Sequence, residues 1–126
     1  MKQPRLRMSV ITVALALASA TCLSLAQPKI TSGVLTDSKG MTLYVFDNDL
    51  TVPGKSACVG ACLNMWIPLY AKPGAKVQGD YGLLNRDDGK VQWTYKGRPL
   101  YQWYADKKPG DKDGDGLRQA WHIAKP

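Results

Sequence analysis

A ten-residue phrase that occurs twice constrains the fold of this chain more than any other feature. Segments 40–49 and 97–106 share Gly, Leu, Tyr, a second aromatic residue and Asp in one order, 57 positions apart. A repeat at a fixed offset indicates one structural unit used twice. The similarity extends to Trp66 and Trp121, which lie 55 positions apart. We therefore expect two repeat units, over about 33–69 and 81–124, that bury their aromatic residues together.

The N-terminal segment has the pattern of an export signal. A basic lead is followed by a 13-residue apolar stretch, 8–20, which is too short to span a bilayer. Small residues before position 27 favour cleavage after Ala26. Residues 1–26 are therefore predicted to be a signal peptide and residues 27–126 the mature domain, located in the periplasm or secreted.

Cys22 offers a competing processing site. The preceding residues, Ser19-Ala20-Thr21, match a lipoprotein box only loosely. Lipidation at Cys22 would anchor the chain to a membrane instead of releasing it. We therefore expect membrane contact only if Cys22 is lipidated.

The charge of the mature region argues against a nucleic-acid-binding protein. Residues 27–126 hold 14 of the 17 Lys and Arg residues and all ten acidic residues, which gives a net charge of +4. The lysines are scattered, so no basic arm or stripe is formed. This pattern predicts a solvated cationic surface that meets anionic envelope polymers weakly. We expect the partner to be an unidentified envelope component.

Short alternating runs between Gly and Pro turns predict a mainly β fold, a small single domain of two pseudo-repeated antiparallel β units. At most short helical turns are expected. One such turn is predicted over Ser56–Asn64, with Ser56 as its N-cap. The predicted strands are Val34–Thr36, Thr42–Phe46, Trp66–Leu69, Tyr81–Asn85, Val91–Tyr95, Pro99–Tyr104 and Trp121–Ala124.

The repeated phrase places two aromatic residues on one face of a strand and an Asp just beyond its end. Such aromatic residues supply the core of a small β domain, and the Asp accepts hydrogen bonds from turn N–H groups. An aromatic-lined groove for a glycan or a quinone-like ring is the alternative. The repeat motif consists of Tyr44, Phe46 and Asp49 in the first unit and Tyr101, Trp103 and Asp106 in the second.

Two cysteines remain in the mature region, Cys58 and Cys62. In a small exported domain, an even number of cysteines predicts a disulfide. A ring of five residues would stabilise the fold by roughly 2 kcal/mol through loop entropy. A redox pair is the alternative, but thioredoxin-like enzymes use two intervening residues within a βαβ unit.

The run Asp111, Asp113 and Asp115, with Gly116 at the sixth position, is typical of a calcium loop. The twelfth position, which should carry a bidentate Glu, holds His122. The pattern predicts at most a weak calcium site, the alternative being a solvated acidic turn. No other cofactor is expected.

His122 is the only histidine, and we expect it on the exposed side of its strand. A lone histidine without a positioned nucleophile forms no catalytic triad. A soft-metal site that combines it with Met41, Met65, Cys58 and Cys62 would need dispersed residues to converge.

The repeated phrase resembles the Y-x-(F/W/Y)-x-x-D motif of a bacterial family of predicted lipoproteins or secreted repeats of unknown function. The match covers nearly all of residues 33–124, although Ile67 stands where Pro is expected. The resemblance implies an envelope or secreted location, a tandem small β domain and no known activity. Further matching phrases are KSACVGAC at 55–62, WIPL at 66–69, RDDG at 86–89 before Gln92-Trp93, and KGRPLY at 96–101.

These patterns favour a non-enzymatic envelope module that acts by binding or scaffolding. The alternative is a redox or metal-handling accessory protein of the periplasm, which would use Cys58, Cys62, Met65 and His122.

Overall fold

The computed structural model describes Lys2, residues 12–14 and residues 27–126. Most of the predicted signal peptide lies outside these residues, including Cys22 and Ala26. The cleavage and lipidation sites therefore stay predictions. Within the described part of the chain, no helix combines the length and the apolar character needed to cross a membrane.

Residues 27–126 form short antiparallel strands and single turns of 3₁₀-helix, which confirms the predicted mainly β class. The strands are β1 (Lys29–Thr31), β2 (Val34–Thr36), β3 (Tyr44–Phe46), β4 (Trp66–Pro68), β5 (Tyr81–Asn85), β6 (Val91–Tyr95), β7 (Arg98–Pro99), β8 (Tyr101–Trp103) and β9 (Trp121–Ile123). The 3₁₀ segments are Asp47–Thr51, Gly60–Asn64 and Leu117–Gln119.

The central sheet interleaves the two repeats. Its strand order is β4-β8-β3-β9, so strands of the first repeat alternate with strands of the second. Tyr44 faces Tyr101 across the central pair. The outer pairs that flank it are Trp66–Trp103 and Phe46–Trp121. The repeat relates Trp66 to Trp121 and Trp103 to Phe46, so it converts one of these pairs into the other, and the register is two-fold symmetric. Each repeat therefore completes the central sheet with strands of the other.

Backbone hydrogen bonds beside the sheet follow the same symmetry. The amide of Leu35 donates to Ala124, that of Ala124 to Leu43, and that of Leu43 to Leu35, at N···O distances of 2.8–3.0 Å. The second repeat forms the corresponding triangle. Its members, in the same order, are Trp93, Leu69 and Leu100. Each triangle includes one residue from the opposite repeat, so the two halves are joined through backbone as well as side chains.

Both faces of the central sheet are buried, each in its own apolar cluster. Tyr44 and Tyr101 are fully buried on one face, among aromatic rings and Cys58. Leu43 and Leu100 are fully buried on the other. This separation follows from the alternation of side chains along a strand. The two motif tyrosines thus occupy equivalent positions in one shared interior.

The hairpin of β5 and β6 has the predicted bounds, but the predicted strand Pro99–Tyr104 is wrong. That segment is divided between β7, which pairs with β6, and β8 in the central sheet. Leu100 lies at the break. Its carbonyl accepts hydrogen bonds from the amide of Leu69 and the side chain of Gln92, so the chain leaves one sheet and enters the other there.

The predicted helical turn over Ser56–Asn64 is shorter than expected. The 3₁₀ segment covers Gly60–Asn64 and begins after Val59 without a side-chain cap. The prediction of Ser56 as N-cap is therefore wrong. Its hydroxyl accepts from the amide of Cys58 at 3.2 Å, before the 3₁₀ segment begins, and lies 2.6 Å from the hydroxyl of Tyr101.

Candidate functional site

Two tyrosine–aspartate hydrogen bonds join the repeats at the centre of the protein. The hydroxyl of Tyr44 donates to Asp106 Oδ2 at 2.6 Å, and that of Tyr101 donates to Asp49 Oδ2 at 2.7 Å. Each bond connects the tyrosine of one repeat to the aspartate of the other. We call them the Tyr44–Asp106 clasp and the Tyr101–Asp49 clasp. The sequence motif identified all four residues, but not this reciprocal exchange.

Each aspartate also holds the loop that follows it. The amide of Ala57 donates to Asp49 Oδ1 at 2.6 Å, and the amide of Asp113 donates to Asp106 Oδ1 at 3.0 Å. Both carboxylates are at least nine-tenths buried. A buried carboxylate that accepts from both a phenol and a backbone amide is well satisfied. The aspartates thus fix the positions of two loops relative to the core.

The Tyr101–Asp49 clasp has a third member, Ser56. Its hydroxyl donates to the hydroxyl oxygen of Tyr101, because the single phenolic proton is already donated to Asp49. Burial raises the pKa of Tyr101 well above its ordinary value, so the phenol stays protonated at neutral pH. Burial also raises the pKa of Asp49. The desolvation free energy therefore opposes ionisation of this carboxylate.

A buried guanidinium lies beside this clasp. Arg86 is 8% exposed and donates to the carbonyl of Cys58 and to Gln92 Oε1, both at 2.7 Å. Gln92 in turn donates to the carbonyl of Leu100. This chain of hydrogen bonds ties the disulfide loop to the second repeat. The positive charge of Arg86 counteracts the rise in the pKa of Asp49.

Cys58 and Cys62 form the predicted disulfide, with sulfur atoms 2.00 Å apart. Cys58 is fully buried in the aromatic cluster, and Cys62 packs against the cluster's edge. The bond therefore closes the loop that carries Ser56 and the carbonyl bound by Arg86. Because both thiols are consumed, a soft-metal site at this pair would first require reduction.

The Tyr44–Asp106 clasp is closed by Gly114. Its amide donates to the hydroxyl of Tyr44 at 3.2 Å. A Cβ atom at position 114 would lie 2.8 Å from Trp66 Cη2 and 3.0 Å from Tyr44 Cε1, so only glycine fits. Burial, followed by the bond to Asp106, raises the pKa of Tyr44 well above its ordinary value. Nothing in the local sequence distinguishes this glycine from an ordinary turn residue.

The carboxylates that come together at the acidic loop after Asp106 differ from the predicted calcium ligands. Carboxylate oxygens of Asp106, Asp111 and Asp113 lie within 4.8 Å of one another. Asp115, the third predicted ligand, accepts the amide of Ile123 at 3.1 Å instead. The buried motif aspartate thus replaces Asp115 in this acidic group. Oxygen donors of this kind suit a hard cation such as Ca²⁺.

His122 pairs with Asp47 rather than with sulfur ligands. Its Nε2 lies 2.8 Å from Asp47 Oδ2, and Arg98 donates to Asp47 Oδ1 at 3.3 Å. The imidazole is 45% exposed, so it is only partly on the exposed side. The hydrogen bond from His122 lowers the pKa of Asp47. In the described residues, His122 and the cysteines share no metal-sized cluster.

The fold and the clasps define a class: a small β domain in which two repeats interleave and exchange tyrosine–aspartate hydrogen bonds. A family model described as a secreted repeat of unknown function matches residues 31–70 and, a second time, residues 82–125. The chain belongs to this family, as its motifs predict, and an extracellular or envelope location is thereby supported. No curated protein and no solved structure matches the chain.

Proposed function

We propose that this protein is a non-enzymatic secreted module that binds an anionic component of the bacterial envelope. The observation that carries the proposal is the internal use of the motif. Both tyrosine hydroxyls and both aspartates are buried and hydrogen-bonded to each other and to loop amides. These groups hold the fold together, so recognition falls to the charged surface around them.

A cationic cleft is the best surface for such recognition. It has a volume of about 260 Å³ and combines basic side chains with apolar walls. Two of its lining residues, Lys96 and Lys125, carry positive charge, and such charge in a concave site concentrates anions and speeds association. The anion we favour carries phosphate or carboxylate groups. Arg98 and His122 also line the cleft, and both pair with Asp47.

The backbone at Lys96 supports this assignment. Lys96 and Gly97 form the two-residue turn between β6 and β7, with φ of 48° and 77°. A turn with positive φ at both positions favours Asn-Gly, so lysine is an unfavourable choice there. The ammonium group lies 5.4 Å from the centroid of the Tyr95 ring, which also lines the cleft. Strained residues of this kind concentrate at functional sites.

The surroundings of the two motif tyrosines and of His122 support the non-enzymatic part of the proposal. The tyrosines keep their protons because burial raises the pKa of both. The imidazole of His122 hydrogen-bonds to Asp47, and no hydroxyl or thiol side chain of the described residues is bonded to it. A nucleophile paired with a general base is what hydrolytic chemistry would need.

Binding is tested by titrating the isotope-labelled protein with inorganic polyphosphate and following its amide resonances. We expect the largest shifts at positions 96, 98 and 125. The double variant Lys96→Gln/Lys125→Gln should abolish them, whereas Lys39→Gln/Lys72→Gln removes the same charge outside the cleft and should keep them. Equal weakening by both double variants would indicate nonspecific attraction and refute a cleft.

Metal handling is the second candidate, favoured by the acidic group of Asp106, Asp111 and Asp113. Calorimetry with CaCl₂ tests it. A site with these ligands should bind in the millimolar range typical of extracellular modules. Asp111→Asn/Asp113→Asn should remove the heat, and Asp87→Asn/Asp88→Asn should not. Absence of any heat with the unmodified protein would exclude this role.

A further inference from the structure

A continuous row of aromatic rings leads from the surface to the two buried motif tyrosines. Along the row, the ring centroids of Tyr104 and Trp103 are 4.9 Å apart, those of Trp103 and Trp66 are 4.5 Å apart, and those of Trp66 and Trp121 are 3.7 Å apart. Tyr44 meets Trp66 edge-on at 5.3 Å, and Tyr101 meets Trp121 edge-on at 5.1 Å. We call these six residues the aromatic row. It passes between the repeats at two contacts, Trp103–Trp66 and Trp66–Trp121.

The central pair has a geometry that burial alone does not favour. The planes of Trp66 and Trp121 are 3° apart and their centroids are 3.7 Å apart, which is close to a face-to-face sandwich. The ring quadrupole makes offset or edge-to-face contacts the preferred ones. Face-to-face contact does maximise overlap between the two π systems. That overlap favours transfer of an electron between the two indoles.

The two ends of the aromatic row differ in a way that gives it a direction. Tyr104 is 51% exposed and Trp103 is partly exposed, so a soluble oxidant can reach this end. Tyr44 and Tyr101 are fully buried. A phenol that loses an electron also loses its proton. At the buried end each phenol already donates to a carboxylate, at 2.6 Å and 2.7 Å, which is within the reach of a general base.

We propose that the aromatic row carries one-electron oxidation from the surface to the buried clasps. A radical oxidant takes one electron from Trp103 and is reduced to its anion. The oxidised Trp103 takes an electron from Trp66, and the oxidised Trp66 takes an electron from Tyr44. The O–H bond of Tyr44 breaks, its proton moves to Asp106 Oδ2, and a neutral tyrosyl radical remains.

Transfer through Trp121 to Tyr101 and Asp49 is the equivalent branch in the other half of the molecule. One electron and one proton are accounted for in each branch, and no bond to the oxidant is formed. This activity is independent of the anion-binding proposal. It also gives the motif a chemical role, since the motif supplies the phenols, their proton acceptors and a ring of the row.

Pulse radiolysis with the azide radical tests the proposal, because this oxidant accepts one electron and becomes azide anion. In the unmodified protein we expect a tryptophanyl absorption that converts to a tyrosyl absorption at a rate independent of protein concentration. Trp66→Phe should abolish the conversion. Trp93→Phe is the matched control, since Trp93 is equally buried but belongs to the other apolar cluster. Conversion that survives Trp66→Phe unchanged would overturn the proposal.

A second variant tests the proposal even if Trp66→Phe does not fold. Tyr44→Phe/Tyr101→Phe keeps both rings and removes only the hydroxyls. We expect loss of the tyrosyl signal and a longer-lived tryptophanyl radical, with Tyr70→Phe/Tyr81→Phe as the control. An undiminished tyrosyl signal in the first double variant would place the radical elsewhere and refute the proposal.

A measurement on the unmodified protein alone is also decisive. The tyrosyl radical, detected by paramagnetic resonance after rapid freezing, should survive a bulky charged reductant, because both tyrosines are fully buried. Immediate reduction would indicate an exposed radical and contradict transfer to the clasps.

Discussion

The two clasps are equivalent by repeat but are secured in different ways. Around Tyr101 and Asp49, the surroundings are a serine hydroxyl, a buried guanidinium and a disulfide loop. Around Tyr44 and Asp106, they are a glycine amide and an acidic loop. The first clasp thus has spare hydrogen-bonding partners and a covalent closure. The second has only the Gly114 amide beside the tyrosine hydroxyl, depends on close packing and has no disulfide in its loop, so we expect it to be the more fragile of the two.

The largest difference should appear when the aspartates are truncated. Asp106→Ala leaves the hydroxyl of Tyr44 without its acceptor and the amide of Asp113 unpaired, and we expect a loss of about 3 kcal/mol in the free energy of unfolding. For a domain of this size, that corresponds to a fall of roughly 15 °C in Tm.

Asp49→Ala should be less destabilising, because the hydroxyl of Tyr101 can donate to Ser56 instead. Thermal unfolding of both variants checks the order, with the exposed Asp87→Ala as control. Equal losses would show that Ser56 gives no protection, and an unchanged Tm for Asp106→Ala would remove the clasp from the stability of the fold.

Gly114→Ala probes the close packing of the second clasp. The added methyl would lie within 3.0 Å of three rings or ring-bearing side chains, so we expect a loss of about 2.5 kcal/mol. Gly82→Ala is the comparison, since its Cβ would meet only the Thr94 hydroxyl, and it should be milder. Denaturant unfolding measures both. A Gly114→Ala protein as stable as the original would mean that the loop adjusts freely.

Removing the disulfide should affect the first clasp alone. Cys58→Ala/Cys62→Ala opens a five-residue ring, and we expect a loss of roughly 2 kcal/mol. Combined with Asp49→Ala, the effect should be non-additive, because the two sites share the loop that carries Ser56. Combined with Asp106→Ala, it should be additive. The four unfolding free energies of each cycle decide this, and additivity in both cycles would separate the disulfide from its clasp.

The smallest expected effect is on the pH dependence of the free energy of unfolding, with opposite signs for Asp49 and Asp47. Burial raises the folded-state pKa of Asp49. Its contribution to the stability of the folded state is therefore fully present below the unfolded pKa and is lost as pH rises through the folded pKa. His122 lowers the pKa of Asp47, whose contribution is present at higher pH and is lost as pH falls through its folded value.

We therefore expect Asp49→Asn to gain stability relative to the original protein as pH rises above the ordinary carboxyl range. Asp47→Asn should gain relative stability only on acidification below that range. Unfolding measured across the acid range checks both slopes. Parallel slopes for the two variants would contradict the assignment of opposite shifts.

Local sequence predicted the elements that clear turn signals delimit. The hairpin of β5 and β6 and strand β2 have their predicted bounds, because each ends close to a Gly-containing turn, and β6 also alternates apolar and polar residues. The segment Pro99–Tyr104 contains no such turn, yet it is divided at Leu100. The break depends on hydrogen bonds from Leu69 and Gln92, which no local pattern contains.

The four motif residues of the candidate site were predictable, but their connections and two of their neighbours were not. Two copies of one motif offer the same hydrogen-bond donors and acceptors. The sequence therefore does not distinguish tyrosine–aspartate bonds within a repeat from such bonds between repeats. Arg86 was missed because charged residues are seldom buried without an ion pair. Gly114 was missed because a glycine in an acidic loop is typical of a turn. Both residues become meaningful only when distant segments are placed beside them.

The alternation of strands in the central sheet has a consequence for the origin of the fold. A chain with a single repeat would carry a tyrosine and an aspartate but could not satisfy them together, since each needs the other copy. Such a chain could reach the same arrangement only as a symmetric homodimer. The duplicated chain supplies both halves at one translation, and its assembly no longer depends on protein concentration.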